Sequence, residues 1–91
     1  MADELGRVVE RWHPLPLDHA LVRMPSVAAL VQSLADRVAA SRDVSRQRVP
    51  DLGPSVVMDQ LTVMVHDLCR AEPDADPAVV AEELAGLRRS L

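Results

Sequence analysis

The chain contains no phenylalanine, no tyrosine and no lysine, and Trp12 is its single aromatic residue. Without aromatic rings, the core must come from Val, Leu, Ala and Met. That disfavours an all-β domain, which draws on aromatic and β-branched cross-strand pairs. It also argues against a surface that stacks the bases of single-stranded nucleic acid, which needs several rings. All ten cations are arginine. Cysteine is nearly absent too: Cys69 stands alone, so no intrachain disulfide can form, as is usual in a reducing compartment. The three glycines, Gly6, Gly53 and Gly86, lie far apart, and neither a P-loop nor a Gly-x-Gly-x-x-Gly run occurs. The histidines His13, His19 and His66 have no ligand-spaced partners, so one chain has too few ligands for structural zinc. No metal and no cofactor are implied.

What is present is ordinary for a globular chain. Its 91 residues, 48% apolar and 26% charged, make one domain spanning residues 1–91. Net charge is −4, whereas a generic nucleic-acid binder is basic. The distribution is uneven. Residues 26–50 carry four Arg against two Asp, and residues 51–91 carry three Arg against eight acids. Opposite signs in adjacent segments suit an intramolecular or subunit contact. The acidic start Met1-Ala2-Asp3-Glu4 lacks a signal-peptide layout, and no apolar run has the length of a membrane span. These features give the expectation of a cytoplasmic protein.

Seven prolines punctuate a series of helical patterns. Leu5, Val8, Val9 and Trp12 share one helical face, with Asp3 as N-cap, and His13-Pro14-Leu15-Pro16 ends that short helix. Leu17 to Met24 has room for a turn or more capped by Asp18, which Pro25 separates from the next helix. Ser26 caps that helix over 26–42, with room for extension towards Arg48. Its stripe is Val27, Leu30, Val31, Leu34 and Val38. Pro54 opens a third helix reaching Ala71, whose Val57, Met58, Leu61, Met64, Val65, Leu68 and Cys69 cover so wide an arc that a central position is expected. Asp76 caps a last helix with Pro77 in its first position, and Val80, Leu84, Leu87 and Leu91 repeat at near-heptad spacing. The expected fold is all-α: a small helical bundle of three main helices plus a short N-terminal helix, completed by dimerisation because so small a core is thin.

Three groups of residues bear on function. Asp59, His66 and Arg70, with Thr62, fall on one side of the third helix and make a polar cluster able to do acid–base work. No nucleophile is positioned beside them, so an enzyme is not the favoured expectation. Trp12, Val56, Val63, Val80, Leu84, Leu87 and Leu91 offer apolar surface beyond a minimal core, and Trp is a preferred interface residue. Arg37, Arg42, Arg46 and Arg48 lie within twelve residues. Arginine forks grip carboxylate and phosphate in a planar, bidentate way.

Two resemblances involve that arginine segment. Asp43-Val44-Ser45-Arg46-Gln47-Arg48-Val49 resembles the turn and recognition-helix start of the helix-turn-helix family, which implies DNA binding; Pro50 comes directly after it. Leu34-Ala35-Asp36-Arg37, then Arg46-Gln47-Arg48, a proline-containing loop and two further helices resemble the all-α chorismate mutase family. That resemblance implies a dimer holding a dicarboxylate, with Arg37 at the family's central-helix arginine and Arg48 or Arg46 at its lysine. The chain departs from it at Pro25, at the missing N-terminal arginine, and at Met58-Asp59-Gln60, where the family has an Arg-Glu pair.

The functional expectation is a small non-enzymatic binding or accessory protein that works through helix-mediated protein–protein contact as a homodimer. In it, Arg37, Arg42, Arg46 and Arg48 face an acidic partner. The alternatives are a chorismate-mutase-like dimer or binder of a small carboxylate, and a DNA-binding regulator.

Overall fold

The computed structural model describes residues 2–91. These form four helices, α1 (Ala2–Trp12), α2 (Leu17–Ser41), α3 (Val57–Ala71) and α4 (Pro77–Ser90), with no strand among the described residues. At about 1.5 Å per residue, the 25 residues of α2 match the 38 Å long axis of the molecule. This helix is the spine. α3 packs mainly on α2, and α4 is shared between α1 and α2.

Each helix buries the stripe that its periodicity predicts. Leu5, Val8 and Trp12 of α1, Val27, Val31, Leu34 and Val38 of α2, Val57, Met58, Leu61, Val65 and Leu68 of α3, and Val80, Leu84 and Leu87 of α4 make one core with Leu91. Asp76 caps α4, accepting from the Ala78 N–H at 2.9 Å.

Four local expectations are corrected. Pro25 does not divide α2, which runs unbroken through it, so Ser26 is no cap and Asp18 lies in the first turn after Pro16. The proline costs the hydrogen bond that the Leu21 carbonyl would accept. Leu21 and Pro25 are both exposed, so the break in the ladder lies on the solvent side of the helix. Nor does α2 extend towards Arg48. Asp43 turns left-handed at φ 54°, its N–H donates to the Ala40 carbonyl, and the Val44 N–H donates to the Ala39 carbonyl at 3.0 Å. This pair of reversed bonds is a Schellman stop. α3 begins at Val57, not Pro54, because residues 54–56 form a turn whose Val56 and Val57 N–H groups both donate to the Gly53 carbonyl. α1 already includes Ala2, which puts Asp3 in its first turn instead of at its cap.

The helices α2 and α3 run in the same sense. Their C-terminal ends meet where the Ser41 hydroxyl donates to Glu72 at 2.6 Å. The connection, residues 42–56, therefore returns along both helices without regular structure. α3 keeps its Asp59, Val63, His66 and Arg70 side in solvent and lies at the flank of the bundle, not at its centre. Cys69, expected in the apolar arc, is exposed.

Candidate functional site

The return segment needs partners for its backbone, and two glutamines supply them. Gln32 of α2 donates through Nε2 to the Gln47 carbonyl at 3.0 Å, and its Oε1 accepts from the Val49 N–H at 2.8 Å. The same Nε2 donates to Asp36 Oδ1 at 2.9 Å, which fixes the amide. Gln60 of α3 donates to the Pro50 carbonyl at 2.9 Å. Further on, the Trp12 indole N–H donates to the Pro54 carbonyl at 3.0 Å, and the Asp51 carboxylate accepts from the Gly53 N–H.

Held this way, the segment walls a groove of about 1010 Å³ with the C-terminal half of α2 and the outer side of α3. Apolar side chains come from Val38, Val44, Val63 and Met64, and charges from Arg42 and Arg48 against Asp43, Asp59 and Asp67. Val44 and Val63 are 58% and 51% exposed. The groove gathers one or two members from each of three groups that sequence reasoning kept apart: Arg42 and Arg48 from the arginine run, Asp59 from the polar cluster, and Val63 from the apolar set.

The remaining members go elsewhere. Arg37 forms an ion pair with Glu83 of α4 and, with Arg46, lines a shallow groove on the opposite side of α2 beside Ser33 and Ala40. His66 and Arg70 are exposed on α3 beyond the groove. The Thr62 hydroxyl donates back to the Met58 carbonyl of its own helix, so it does not join Asp59 in an acid–base set. The segment resembling a recognition helix contains no helix: after the stop at Asp43 the chain has no regular structure through Pro50.

The apolar set requires the largest correction. Trp12, Val80, Leu84, Leu87 and Leu91 are all less than 9% exposed and belong to the core of the single chain. α1 and α4 pack on each other, so the stripes that could meet another copy meet one another. Val56 is half-buried in the turn before α3. Only Val63 of that set is exposed.

Three of the exposed large apolar side chains gather on the first half of α2, while Val44, Leu52, Val63 and Val79 are exposed elsewhere. Leu17, Leu21 and Val22 are 66%, 52% and 72% exposed, and Pro25, Ala28 and Ala29 are exposed beside them. At 100° per residue these six fall on one side of the helix, interrupted only by Asp18 and Ser26. Sequence reasoning missed this face because it set Leu17–Met24 apart as a separate short turn. Gln32 and Gln60 were missed because a glutamine on a polar helix face looks solvated until its distant backbone partner is placed.

Among the described residues no group of three or more His, Cys, Asp or Glu side chains could hold a metal ion, and no helix is long and apolar enough to cross a membrane. Comparison of the chain with protein-family models, with curated proteins and with solved structures finds no match.

Proposed function

We propose that this chain is a small non-enzymatic binding module that acts through helix-mediated protein–protein contact and pairs with a second copy of itself. The observation that carries this reading is the outer face of α2, where Leu17, Leu21 and Val22 are each more than half exposed. A contiguous apolar helix face costs about 25 cal/mol for each Å² left in water. Such patches on soluble chains mark contact sites. Ala28 and Ala29 at the end of the same face let two helices approach closely. A two-fold pair crossing there buries the face on both copies and leaves the α2–α3 groove open. In that groove Arg42 and Arg48 offer guanidinium forks to an acidic segment of a partner, with Val44 and Val63 as the apolar floor.

Sedimentation or light scattering at micromolar concentration tests the pairing. The expected particle is a dimer. Leu21→Asp and Val22→Glu, both at exposed positions, make it monomeric while leaving helix content unchanged, and remove the concentration dependence of the melting temperature. A wild-type particle that stays monomeric at about 100 µM, well above a micromolar Kd, overturns the pairing.

One observation favours a second reading. Arg42 and Arg48 share a groove whose volume stands at the upper limit for small-molecule sites, with room for a small carboxylate ligand. Calorimetry with a dicarboxylate separates the two readings. Binding lost in Arg48→Gln supports the ligand, and absence of heat at millimolar ligand ends it.

A further inference from the structure

A third region carries charge that neither surface above uses. Arg7 and Arg11, one turn apart on α1, and Arg88 and Arg89, in the last turn of α4, line one groove of about 500 Å³ with Glu10 and Pro14. Four guanidinium groups meet Glu10 in the lining and Glu4 and Glu82 beside it, which leaves a local excess of one positive charge in a chain whose net charge is −4. Chain distance hides it: the two pairs of arginines stand near opposite ends of the sequence and meet only because α1 packs on α4.

Three of these arginines are ion-paired, yet each keeps N–H groups to offer. Glu4 is clasped from both sides, by Arg7 Nη1 at 3.0 Å and Arg88 Nε at 3.0 Å. Each of those arginines therefore spends one nitrogen and keeps the others. Arg89 meets Glu82 at 3.3 Å, with both side chains well exposed. Arg11 forms no ion pair or hydrogen bond among the described residues. Part of the charge of Arg88 and Arg89 offsets the negative end of the α4 dipole. Arg11, in the last turn of α1, does the same for that helix, and Arg7 lies outside either last turn. The Glu4 clasp also fixes Arg7 and Arg88 in place before any ligand arrives, which lowers the ordering cost of binding.

From this geometry we infer that the α1–α4 groove binds a small phosphate-bearing molecule through its phosphate groups. Several arginine forks around one small volume match the many non-bridging oxygens of a di- or triphosphate better than the two oxygens of one carboxylate. No aromatic ring and no apolar slot lines the groove, so the phosphate chain alone is recognised, whatever it is attached to.

Titration of the intact protein with inorganic pyrophosphate, followed by NMR of the arginine Nε–Hε groups and by calorimetry, tests the inference, with ATP as the second probe. The expected result is saturable binding, with ATP and pyrophosphate of similar affinity. Arg11→Gln and Arg89→Gln, which leave the Glu4 clasp intact, weaken it about tenfold each, as expected for loss of a charge-assisted hydrogen bond. Glu10→Gln, which removes the one opposing charge of the lining, tightens it. Arg42→Gln in the α2–α3 groove leaves it unchanged. The inference is overturned by absence of saturation at millimolar pyrophosphate, by affinity indifferent to Arg11→Gln and Arg89→Gln, or by ATP binding far tighter than pyrophosphate. Dimerisation through α2 is read separately by sedimentation, so failure of either idea is visible without the other.

Discussion

Gln32 treats Val49 as a neighbouring strand would. Its side-chain oxygen accepts the Val49 N–H at 2.8 Å while its nitrogen donates to the Gln47 carbonyl at 3.0 Å, two residues back along the return segment. A single amide thereby replaces a backbone ladder for a stretch of chain that has no sheet to join. The wall of the α2–α3 groove rests on this pairing.

Replacing Gln32 by Leu keeps the aliphatic stem and removes both bonds. The Val49 N–H and Gln47 carbonyl then lose their partner, at a cost of about 1–3 kcal/mol. The loss should be local as well as global. Hydrogen exchange at Val49 is expected to accelerate far more than exchange at Val31 or Leu34 in the core of α2. Equal acceleration at all three would mean that Gln32 supports α2 and not the return segment.

Trp12 is tied to the same connection at its far end, through its indole N–H and the Pro54 carbonyl at 3.0 Å. Trp12→Phe keeps most of the buried ring and loses the donor. We expect a destabilisation of about 1–2 kcal/mol, whereas Trp12→Ala, which also opens a cavity, costs about 3–5 kcal/mol. Urea unfolding followed by circular dichroism measures both, since the variants lack the chain's single indole.

Some of this structure can be read from local spacing and some cannot. The Asp76-Pro77 start of α4, the stripe Val27, Val31, Leu34, Val38 and the stop after Trp12 depend on residues within a few positions of one another, so pattern alone places them. Pro25 misleads because its cost depends on exposure: where the break in the ladder lies on the solvent side of the helix, an internal proline is tolerated. The fates of Trp12, Val80 and Leu84 also depend on a distant choice. An apolar stripe shows that something covers it, but not whether the cover is α1 of the same chain or a helix of another. The two grooves are the least legible part. Arg42, Asp59 and Val63 meet through a return segment that has no periodicity, and Arg7 meets Arg88 across nearly the whole chain.

The stop of α2 places a non-glycine residue at a left-handed position, Asp43 at φ 54°. Most L-residues pay about 1–2 kcal/mol there, aspartate somewhat less. Its carboxylate also faces the negative end of the helix dipole. Asp43→Gly should therefore stabilise the protein by about 0.5–1 kcal/mol, and Asp43→Val should destabilise it. A thermal melt of the two variants side by side reads the opposite signs.

Pro25→Ala restores the N–H that the Leu21 carbonyl lacks. Alanine in a helix interior is about 3 kcal/mol better than proline, reduced by the solvent-side position of that carbonyl and by the freedom alanine returns to the unfolded chain. A net gain of about 1–2 kcal/mol is expected from these two terms, measurable as a higher urea midpoint. Since Pro25 is exposed, no core contact changes, and a loss of stability would show that the proline fixes a bend the bundle requires.

The Glu4 carboxyl is held below the ordinary glutamate range, chiefly by the hydrogen bond from Arg88, with Arg7 adding to it. A carboxyl whose pKa is lower in the folded than in the unfolded chain stabilises the fold at pH values above its unfolded pKa, about 4.3. That contribution fades as acid protonates it, through the interval between the unfolded and the lowered folded value. Below about pH 5 the wild-type urea midpoint should fall with decreasing pH more steeply than that of Glu4→Gln, which has no proton to gain at this position. The two proteins should differ most at neutral pH and converge once acid has protonated Glu4 in the folded chain. Because the Arg7 and Arg88 contacts are partly exposed, added salt should narrow the difference at neutral pH. A Glu4→Gln profile parallel to wild type across the whole acid limb would place the acid sensitivity elsewhere.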